Sequence, residues 1–480
     1  MAGIGFELKK IYRKDGISRT LMGAMYSCLI TIGPTIIIIT VILLLYLFLD
    51  MSGVGMAKRE LLSSTILYIF IFSVVMTSPF NSVFSRYLAD KFYEEEFDDI
   101  LCSYYVGLAI TSVIGIIMAL PMMFSLYFRG GIDIAFIAGA YCMWASAVVI
   151  FFSITYLHAT KDYRLIAIFF FASMIIGGLV AAFLYFIVGF DQIHAIIWGL
   201  AFAFFMIAFC EFSYVRYYFK GGGNNYSECV RYIWRYKGIF LTNLFYILGL
   251  YIHNFVFWTT PSHLYVANTY YSHMNYDMAT CLAMFTNISA TVIFTVIAET
   301  HFHEVYQDFM ESVIGGTYRL IQKNKRIMFR TLSTQLGQVF ATQIAITCVI
   351  FMLLMIFGLQ LGFSSMTMRI YPVLAVGFLG VFVMYCNIVY LYYFEDSFDS
   401  AMTAFIFCFG TLVGAIVSAY FLPVEFYGMG LLFGMLCGWT YSFFRLRHLE
   451  RNFDAHIFCR YKVIDTMKSS TKGRIVYRKK

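Results

Sequence analysis

The sequence predicts an all-α polytopic membrane protein with twelve transmembrane helices in two six-helix bundles. Three observations carry this prediction: the composition, the lengths of the apolar runs and the distribution of Lys and Arg. The 480-residue chain is 61% hydrophobic, 20% aromatic and only 13% charged, with a mean hydropathy of +0.76. Because a soluble domain carries about 25% charged residues, this composition excludes a water-soluble protein.

A polar, glycine-rich connector at 216–237 separates two apolar blocks of similar length, and its run of three glycines at 221–223 predicts a flexible linker. Each block divides into six runs that reach the roughly 20 residues a bilayer requires. The predicted spans of the first block are 21–49, 63–84, 101–126, 134–157, 165–188 and 192–215. Those of the second block are 238–260, 279–298, 332–357, 370–394, 401–422 and 424–444. The predicted domains are an amphipathic, basic N-terminal segment (1–20), a first bundle (21–215), the connector, a second bundle (238–444) and a basic tail (445–480).

Lys and Arg concentrate on one side of the predicted spans. With the N-terminus inside, the cytoplasmic segments hold 30 of the 34 Lys and Arg, and the external loops hold the other 4. The positive-inside rule predicts this bias, and an odd number of spans would destroy it. Both termini are therefore expected in the cytoplasm. Anionic lipids are the expected partner of the basic tail, and the net charge of +7 needs no nucleic acid to explain it.

Cysteine and histidine spacing predicts no disulfide framework, metal or cofactor. The eleven cysteines form no CxxC pair, and most lie in apolar runs, where a free Cys acts as a small hydrophobe. The spacing of His301, His303 and Glu304 matches neither a metalloprotease nor a zinc-finger pattern. The first apolar run, at about 29 residues, is too long for a cleaved signal peptide and is expected to remain as a span.

The two predicted bundles share a plan. In each, the second span is followed by a long cytoplasmic loop, 85–99 in the first bundle and 299–331 in the second. Both loops mix aromatic, acidic and basic residues at helical spacing. Parallel halves with matched loops are typical of transporters, in which one bundle rocks against the other.

Three stretches resemble the PelG family of exopolysaccharide transporters, a branch of the multidrug/oligosaccharidyl-lipid/polysaccharide (MOP) exporter superfamily. They are the opening MAGIGFELKKI, the Gly33-Pro34 pair of the first span, and TSPFNSVFSRYLADKFYEEEFDDIL at 77–101. The resemblance implies two six-helix bundles around a central cavity, and a role in moving a hexosamine-rich polymer across the cytoplasmic membrane. It also implies a cytoplasmic glycosyltransferase and accessory membrane subunits as partners.

A path for sugars needs neutral donors and acceptors for hydroxyls, and aromatic faces for pyranose rings. His253 is the only ionisable residue well inside a predicted span, whereas Arg86, Glu211 and Glu299 fall at span ends. Buried amides and a hydrogen-bonded His equally serve as interhelical contacts, and that alternative stays open. The candidate path residues are Asn81, Arg86, Asn243, His253, Asn254, Asn287 and Glu299. The candidate aromatic faces are Tyr246, Tyr251, Trp258, Tyr385 and Tyr390.

The charges near the predicted spans bear on substrate and energy source. A lipid-linked pyrophosphate calls for cationic groups inside the cavity, and the sequence offers none at mid-membrane. A neutral or partly cationic polymer fits better, and carboxylates at the inner mouth could attract its amines. Those carboxylates are Glu94, Glu95, Glu96, Asp98, Asp99, Glu299, Glu395 and Asp396, for which a solvated or partner-docking face is the alternative. Without an obvious intramembrane carboxylate, polymer synthesis by a partner is the expected driving force.

The sequence therefore favours a transporter over an enzyme, because catalysis in a membrane needs ionisable residues held in a site. Two alternatives within transporters are a lipid-linked oligosaccharide flippase and a small-molecule antiporter of the same superfamily. The alternative from another class is a membrane-embedded glycosyl- or acyltransferase, or a scaffold subunit of a synthase.

Overall fold

The computed structural model describes residues 33, 36–160, 162–297 and 302–460. The N-terminal segment 1–20, about half of the first predicted span, Glu299 and the end of the basic tail lie outside these residues. In lipid a chain must satisfy its own backbone N–H and C=O groups, and long apolar runs do so by forming helices.

The described residues of the first half form six α-helices. Helices α2 and α3 accommodate Pro79 and Pro121 in their interiors. Helix α5 continues into a π-helical turn at Leu184–Val188. The helices are α1 (Ile36–Phe48), α2 (Met56–Glu94), α3 (Ile100–Phe128), α4 (Ile134–Thr160), α5 (Tyr163–Phe183) and α6 (Gln192–Tyr218).

In the second half, the part of the chain that the structure describes forms eight α-helices and a short antiparallel hairpin. Strands β1 (Leu264–Val266) and β2 (Tyr270–Ser272) pair with Tyr265 opposite Tyr271. The helices are α7 (Tyr226–Arg235), α8 (Lys237–Phe257), α9 (Met274–Ile297), α10 (His303–Gly315), α11 (Tyr318–Phe357), α12 (Ser365–Tyr393), α13 (Ser397–Phe421) and α14 (Met429–Arg460).

Nine helices of the described residues are long and apolar enough to cross a membrane, namely α2 to α6, α8 and α11 to α13. The prediction of an all-α, multi-pass membrane protein is thereby confirmed. Each of the twelve predicted spans overlaps one described helix. However, α1, α9 and α14 are not among the nine helices that are long and apolar enough to cross a membrane. The count of twelve and the orientation of the termini therefore stay predictions.

Glycines allow close helix contacts at matching places in the two halves. In the first half, a Cβ on Gly177 of α5 would lie 2.6 Å from the carbonyl oxygen of Gly199 on α6. In the second half, a Cβ on Gly410 of α13 would lie 3.0 Å from the Cα of Gly434 on α14. Small residues at such crossings are how membrane helices gain contact area without a hydrophobic driving force.

The connector is not the flexible linker that its glycine run indicated. The N–H of Gly223 donates to the carbonyl oxygen of Asp98 over 3.1 Å, and a Cβ on Gly221 would clash with that same oxygen. Helix α7 follows, with Cys229 and Tyr232 buried against α2 and α3. The glycines are needed for close approach, so the connector lies against the end of the first bundle.

The two long loops are largely helical. Helix α2 runs to Glu94, ten residues beyond the predicted span 63–84. Helices α10 and α11 take up most of 299–331, because the periodicity noted in both loops is that of amphipathic helices.

Candidate functional site

The two halves meet along α2 and α8, which run antiparallel to each other. Phe72 of α2 stacks on Phe255 of α8 with ring centroids 5.6 Å apart. Farther along, Phe80 meets Phe240 edge to face at 5.1 Å. The end of this seam near the β-hairpin is called the hairpin end, and the opposite end, near α7, the connector end. By the positive-inside prediction, the connector end faces the cytoplasm.

Aromatic side chains close the seam at the hairpin end. The ring of Tyr68 stacks on Trp258 at 4.8 Å with an interplanar angle of 10°, and meets Tyr270 edge to face at 4.7 Å. Its hydroxyl donates to the carbonyl oxygen of Tyr271 over 2.7 Å and accepts from the Tyr271 N–H over 3.0 Å. One residue of the first half is thus tied to both α8 and the hairpin of the second half.

Asp277 organises a buried polar cluster beside these rings. Its carboxylate accepts from Asn254 Nδ2 at 2.7 Å, from Trp258 Nε1 at 3.0 Å and from the N–H of His273 at 3.0 Å. Burial raises the pKa of Asp277 from its ordinary 3.8 to about 6, although these three donors oppose the rise. The sequence analysis missed Asp277 because it precedes the predicted span 279–298 and sits in the first turn of α9.

His253 and Asn254, two predicted path residues, lie in this cluster with unused hydrogen-bonding capacity. His253 is fully buried, and its Nδ1 lies 2.8 Å from the hydroxyl of Tyr276. Among the described residues, His253 Nε2 and Asn254 Oδ1 have no hydrogen-bond partner. Each can therefore make one further hydrogen bond with a neutral polar group.

Charged side chains close the seam at the connector end. The guanidinium of Arg86, on α2, lies 3.0 Å from Asp90 Oδ1 and 3.3 Å from Glu395 Oε1. Its central carbon also lies 5.7 Å from the ring centroid of Tyr236. Glu395 follows α12 with φ at 55°, so a tight turn presents it across the seam. Arg86, predicted as a path residue, thus makes an ion pair between the two halves.

Asn81 and Asn243 point away from the seam, each into its own half. Asn81 Nδ2 donates to the carbonyl oxygen of Phe151 on α4 over 2.7 Å. Asn243 Nδ2 donates to the carbonyl oxygen of Ile239 and to the hydroxyl of Tyr392 on α12, both over 3.1 Å. These bonds hold α2 to α4 and α8 to α12, which fits the interhelical alternative left open for buried amides.

Asn287 lies in a hydrogen-bond network that joins α9, α11 and α12. Its Nδ2 donates to the carbonyl oxygens of Ala283 and Ala375 over 3.0 Å. Its Oδ1 accepts from Gln343 Nε2 over 3.2 Å and from Thr347 Oγ1 over 2.9 Å. Every donor and acceptor of this buried amide is satisfied, so Asn287 offers nothing to a passing solute in this conformation.

The predicted path residues do not form one site. Arg86 lies at the connector end, His253 and Asn254 at the hairpin end, and Asn287 inside the second half, while Glu299 lies outside the described residues. Their role in carrying substrate stays a prediction.

The carboxylates predicted at the inner mouth are partly neutralised by cations. Lys91, whose side chain is only 7% exposed, lies 2.6 Å from Glu96 and 3.8 Å from Asp99. In the second half, Arg445 lies 2.7 Å from the buried Asp396. These ion pairs favour a structural role for much of the acidic run.

Most of the aromatic residues proposed as sugar faces are buried in packing contacts. Tyr246 and Tyr385 lie 4.8 Å apart, and Tyr390 packs edge to face on Phe294 at 5.5 Å. Trp258 is occupied by Tyr68. Only a change in conformation would expose these faces to a polymer.

Glu211 is a buried acid that the sequence analysis placed at a span end. It lies seven residues before the last residue of α6, is fully buried, and neither carboxylate oxygen has a hydrogen-bond partner among the described residues. A carboxyl group left without a hydrogen-bond partner in such surroundings is costly. The sequence signal was available, since Glu211 continues the buried stripe of Phe204 and Ile207 at helical spacing.

No group of three or more His, Cys, Asp or Glu that could hold a metal ion occurs among the described residues. His303 and Glu304 are described, whereas His301 is not.

Comparison with known proteins identifies the family and the fold of this chain. Residues 1–458 match the model of the family described as "PelG: Putative exopolysaccharide Exporter (EPS-E)". No curated protein matched the sequence. The fold is similar to that of solved transporters of the multidrug resistance MATE family of the MOP superfamily. An outward-facing MATE structure aligns over 90% of this chain and 96% of its own length, with a TM-score of 0.58 and 13% identity.

Two further structures agree with this fold. The inward-facing conformation of a MATE transporter covers 88% of this chain and 96% of its own length, with a TM-score of 0.56 and 12% identity. A variant of the Vibrio cholerae MATE transporter VcmN covers 93% of this chain and 98% of its own length, with a TM-score of 0.57 and 12% identity. At these identities the likeness establishes the fold alone. With the family model spanning nearly the whole sequence, the chain belongs to the PelG family of exopolysaccharide exporters.

Proposed function

We propose that this protein exports a hexosamine-rich exopolysaccharide of the Pel type across the bacterial cytoplasmic membrane. It would do so as the membrane-spanning part of a complex with a cytoplasmic glycosyltransferase and accessory membrane subunits, and so supply a biofilm matrix. The observation that carries the proposal is the family match over residues 1–458, which includes every described helix of both bundles except the last two residues of α14.

The seam between the halves supports transport rather than catalysis. Its two ends are closed by different contacts, ion pairs at one and stacked rings at the other, so each could open while the other stays shut. That is what alternating access between two bundles requires. A neutral or partly cationic polymer is the substrate class that best fits a seam in which Arg86 is already paired with Asp90 and Glu395.

The test is an in-frame deletion in the native host, followed by staining of intact and lysed cells with a lectin that binds N-acetylgalactosamine. The proposal expects polymer to disappear from intact cells, to remain detectable after lysis if synthesis continues, and to return to the surface on complementation. Deleting the chain could also remove the rest of the complex. A variant that inserts correctly but does not export polymer is therefore the control. Unchanged surface polymer in the deletion strain would contradict the proposed substrate.

A further inference from the structure

Helix α11 is too long for the membrane. Its 40 residues extend about 60 Å, twice the roughly 30 Å of a hydrocarbon core. The stretch after Arg330 carries no charge as far as Phe357, whereas the stretch before it is rich in Lys and Arg. The first third of α11, about 18 Å from Tyr318 to Arg330, therefore projects from the connector end of the bundle.

Four cations line one face of this projection. Arg319, Lys323, Arg326 and Arg330 follow one another at spacings of four, three and four, which places them along a single side of the helix. All four are exposed, and none forms an ion pair within the described part of the chain. This set, named the basic stripe, spans about 16 Å of helix.

Apolar side chains accompany the basic stripe. Leu320 and Ile327, each 42% exposed, lie beside it on α11. At its outermost end, Tyr318 is 74% exposed and Ile314 of the adjoining α10 is 87% exposed. A cation stripe that only needed solvation would not require exposed aliphatic and aromatic neighbours, whereas an interface combines both.

The opposite face of the projection is fixed. Lys325 lies 3.0 Å from Asp454 on α14, and Gln322 donates to the same carboxylate over 2.9 Å. Phe329 meets Phe453 edge to face at 5.1 Å, and Asn324 donates to the carbonyl oxygen of Asp308 on α10 over 3.1 Å. The basic stripe is therefore presented on a rigid, pre-organised helix rather than on a mobile loop.

From this charge pattern we infer that the basic stripe docks an acidic, amphipathic segment of a cytoplasmic protein. Its carboxylates would pair with the four cations, and its apolar side chains would cover Leu320 and Ile327. Lipid headgroups fit less well, because Arg319 lies about 16 Å along the axis from Arg330, beyond the roughly 8 Å over which surface charge is felt at physiological salt. The inference concerns a partner and holds whichever polymer is carried.

The test is photo-crosslinking in cells of the native host, with a photoreactive amino acid in place of Leu320. We expect an adduct with a cytoplasmic protein whose crosslinked peptide is rich in Asp and Glu. The variant Lys323→Glu/Arg326→Glu should reduce the adduct at least tenfold. The matched control Lys220→Glu/Arg231→Glu reverses two exposed cations at the connector end, away from α11, and should leave the adduct unchanged.

Several results would overturn the inference. They are a phospholipid adduct, an adduct containing only a second copy of this chain, an adduct that survives charge reversal, or no adduct at all. If the reversed variant fails to accumulate in the membrane, Lys323→Gln/Arg326→Gln replaces it. Conversely, Lys substitutions in the crosslinked acidic peptide should restore the adduct to the reversed variant. The crosslinking readout involves no polymer. The docking inference can therefore fail while the proposed export function stands, and the export function can fail while the docking inference stands.

Discussion

The two ends of the α2–α8 seam are closed by different chemistry. At the hairpin end, Tyr68 is stacked on Trp258 and hydrogen-bonded to the backbone of Tyr271, and Trp258 is only 5% exposed. At the connector end, the ion pair of Arg86 with Glu395 has side-chain exposures of 33% and 44%. One closure is a buried aromatic contact and the other a partly solvated ion pair.

This difference predicts which end opens more readily. Ion pairs in contact with water contribute about 0–1 kcal/mol, because separated charges are well solvated. Separating buried rings exposes apolar surface and also forfeits about 0.5–1.5 kcal/mol for each aromatic pair. The connector end should therefore open at lower cost, and the conformation open on that side should be the more populated one.

The largest effect should follow from Trp258→Ala. It removes the ring under Tyr68, leaves a cavity and deprives Asp277 of a donor, so we expect a loss of about 3–5 kcal/mol in the free energy of unfolding. Trp258→Phe keeps a ring but loses the Nε1–H, and should cost only about 1–3 kcal/mol. Thermal unfolding of the purified protein in detergent measures both. Equal losses for the two variants would mean that stacking does not hold the hairpin end.

The pH dependence of stability tests the polar cluster at the same end. Folding raises the pKa of Asp277 from 3.8 to about 6 because burial disfavours the charged form. The stability that this group contributes is therefore complete below about pH 4 and is lost as pH rises through 6. The loss amounts to at most about 3 kcal/mol at pH 7. Asp277→Asn should remove this component, so the stability difference between variant and wild type should vary between pH 4 and 7. A constant difference would refute the cluster's role.

Glu211 provides a test away from the seam. Since neither of its oxygens is hydrogen-bonded among the described residues, Glu211→Leu should raise the free energy of unfolding by about 1–3 kcal/mol. Glu211→Gln keeps a polar group of the same shape and should leave stability nearly unchanged. Both variants can be compared by thermal unfolding and by export of polymer. A destabilised Glu211→Leu protein would show that the carboxyl has a partner after all.

The smallest effect on stability should come from the ion pair at the connector end. Arg86→Gln and Glu395→Gln should each cost no more than about 1 kcal/mol. Their effect should appear instead in accessibility, because either change removes a contact made only when this end is closed. Labelling of a cysteine placed at Phe240, which packs against Phe80 in the closed seam, should become faster in both variants, and the double variant should add little to either. Unchanged labelling would mean that the pair does not hold the seam.

The fold was largely predictable from the sequence because lipid imposes a simple rule. Any apolar run of sufficient length must become a helix, and each predicted span duly overlaps one. The connector was harder to read, since three successive glycines suggest flexibility unless the backbone they approach is known. Here that backbone is Asp98, which approaches Gly221 and Gly223 too closely for a Cβ.

The candidate site was predictable only in part. Arg86 was identifiable because a cation at a span end is conspicuous, but its partner Glu395 is 309 residues away. Asp277 escaped notice because it precedes an apolar run, and only the packing of α8 against the start of α9 brings Asn254 and Trp258 onto it. Spacing along the chain carries no information on contacts between distant residues. It did show which predicted spans contain Asn side chains.

The most direct test of the unequal seam is a pair of distance distributions in lipid, measured by pulsed electron paramagnetic resonance on a cysteine-free background. One spin-label pair, at Ala57 and Pro261, spans the hairpin end, and the other, at Ala89 and Arg235, spans the connector end. All four positions are exposed. We expect a single narrow distance at the hairpin end and a broad or two-peaked distribution at the connector end. The reverse pattern would contradict the assignment of the aromatic contact as the stronger closure.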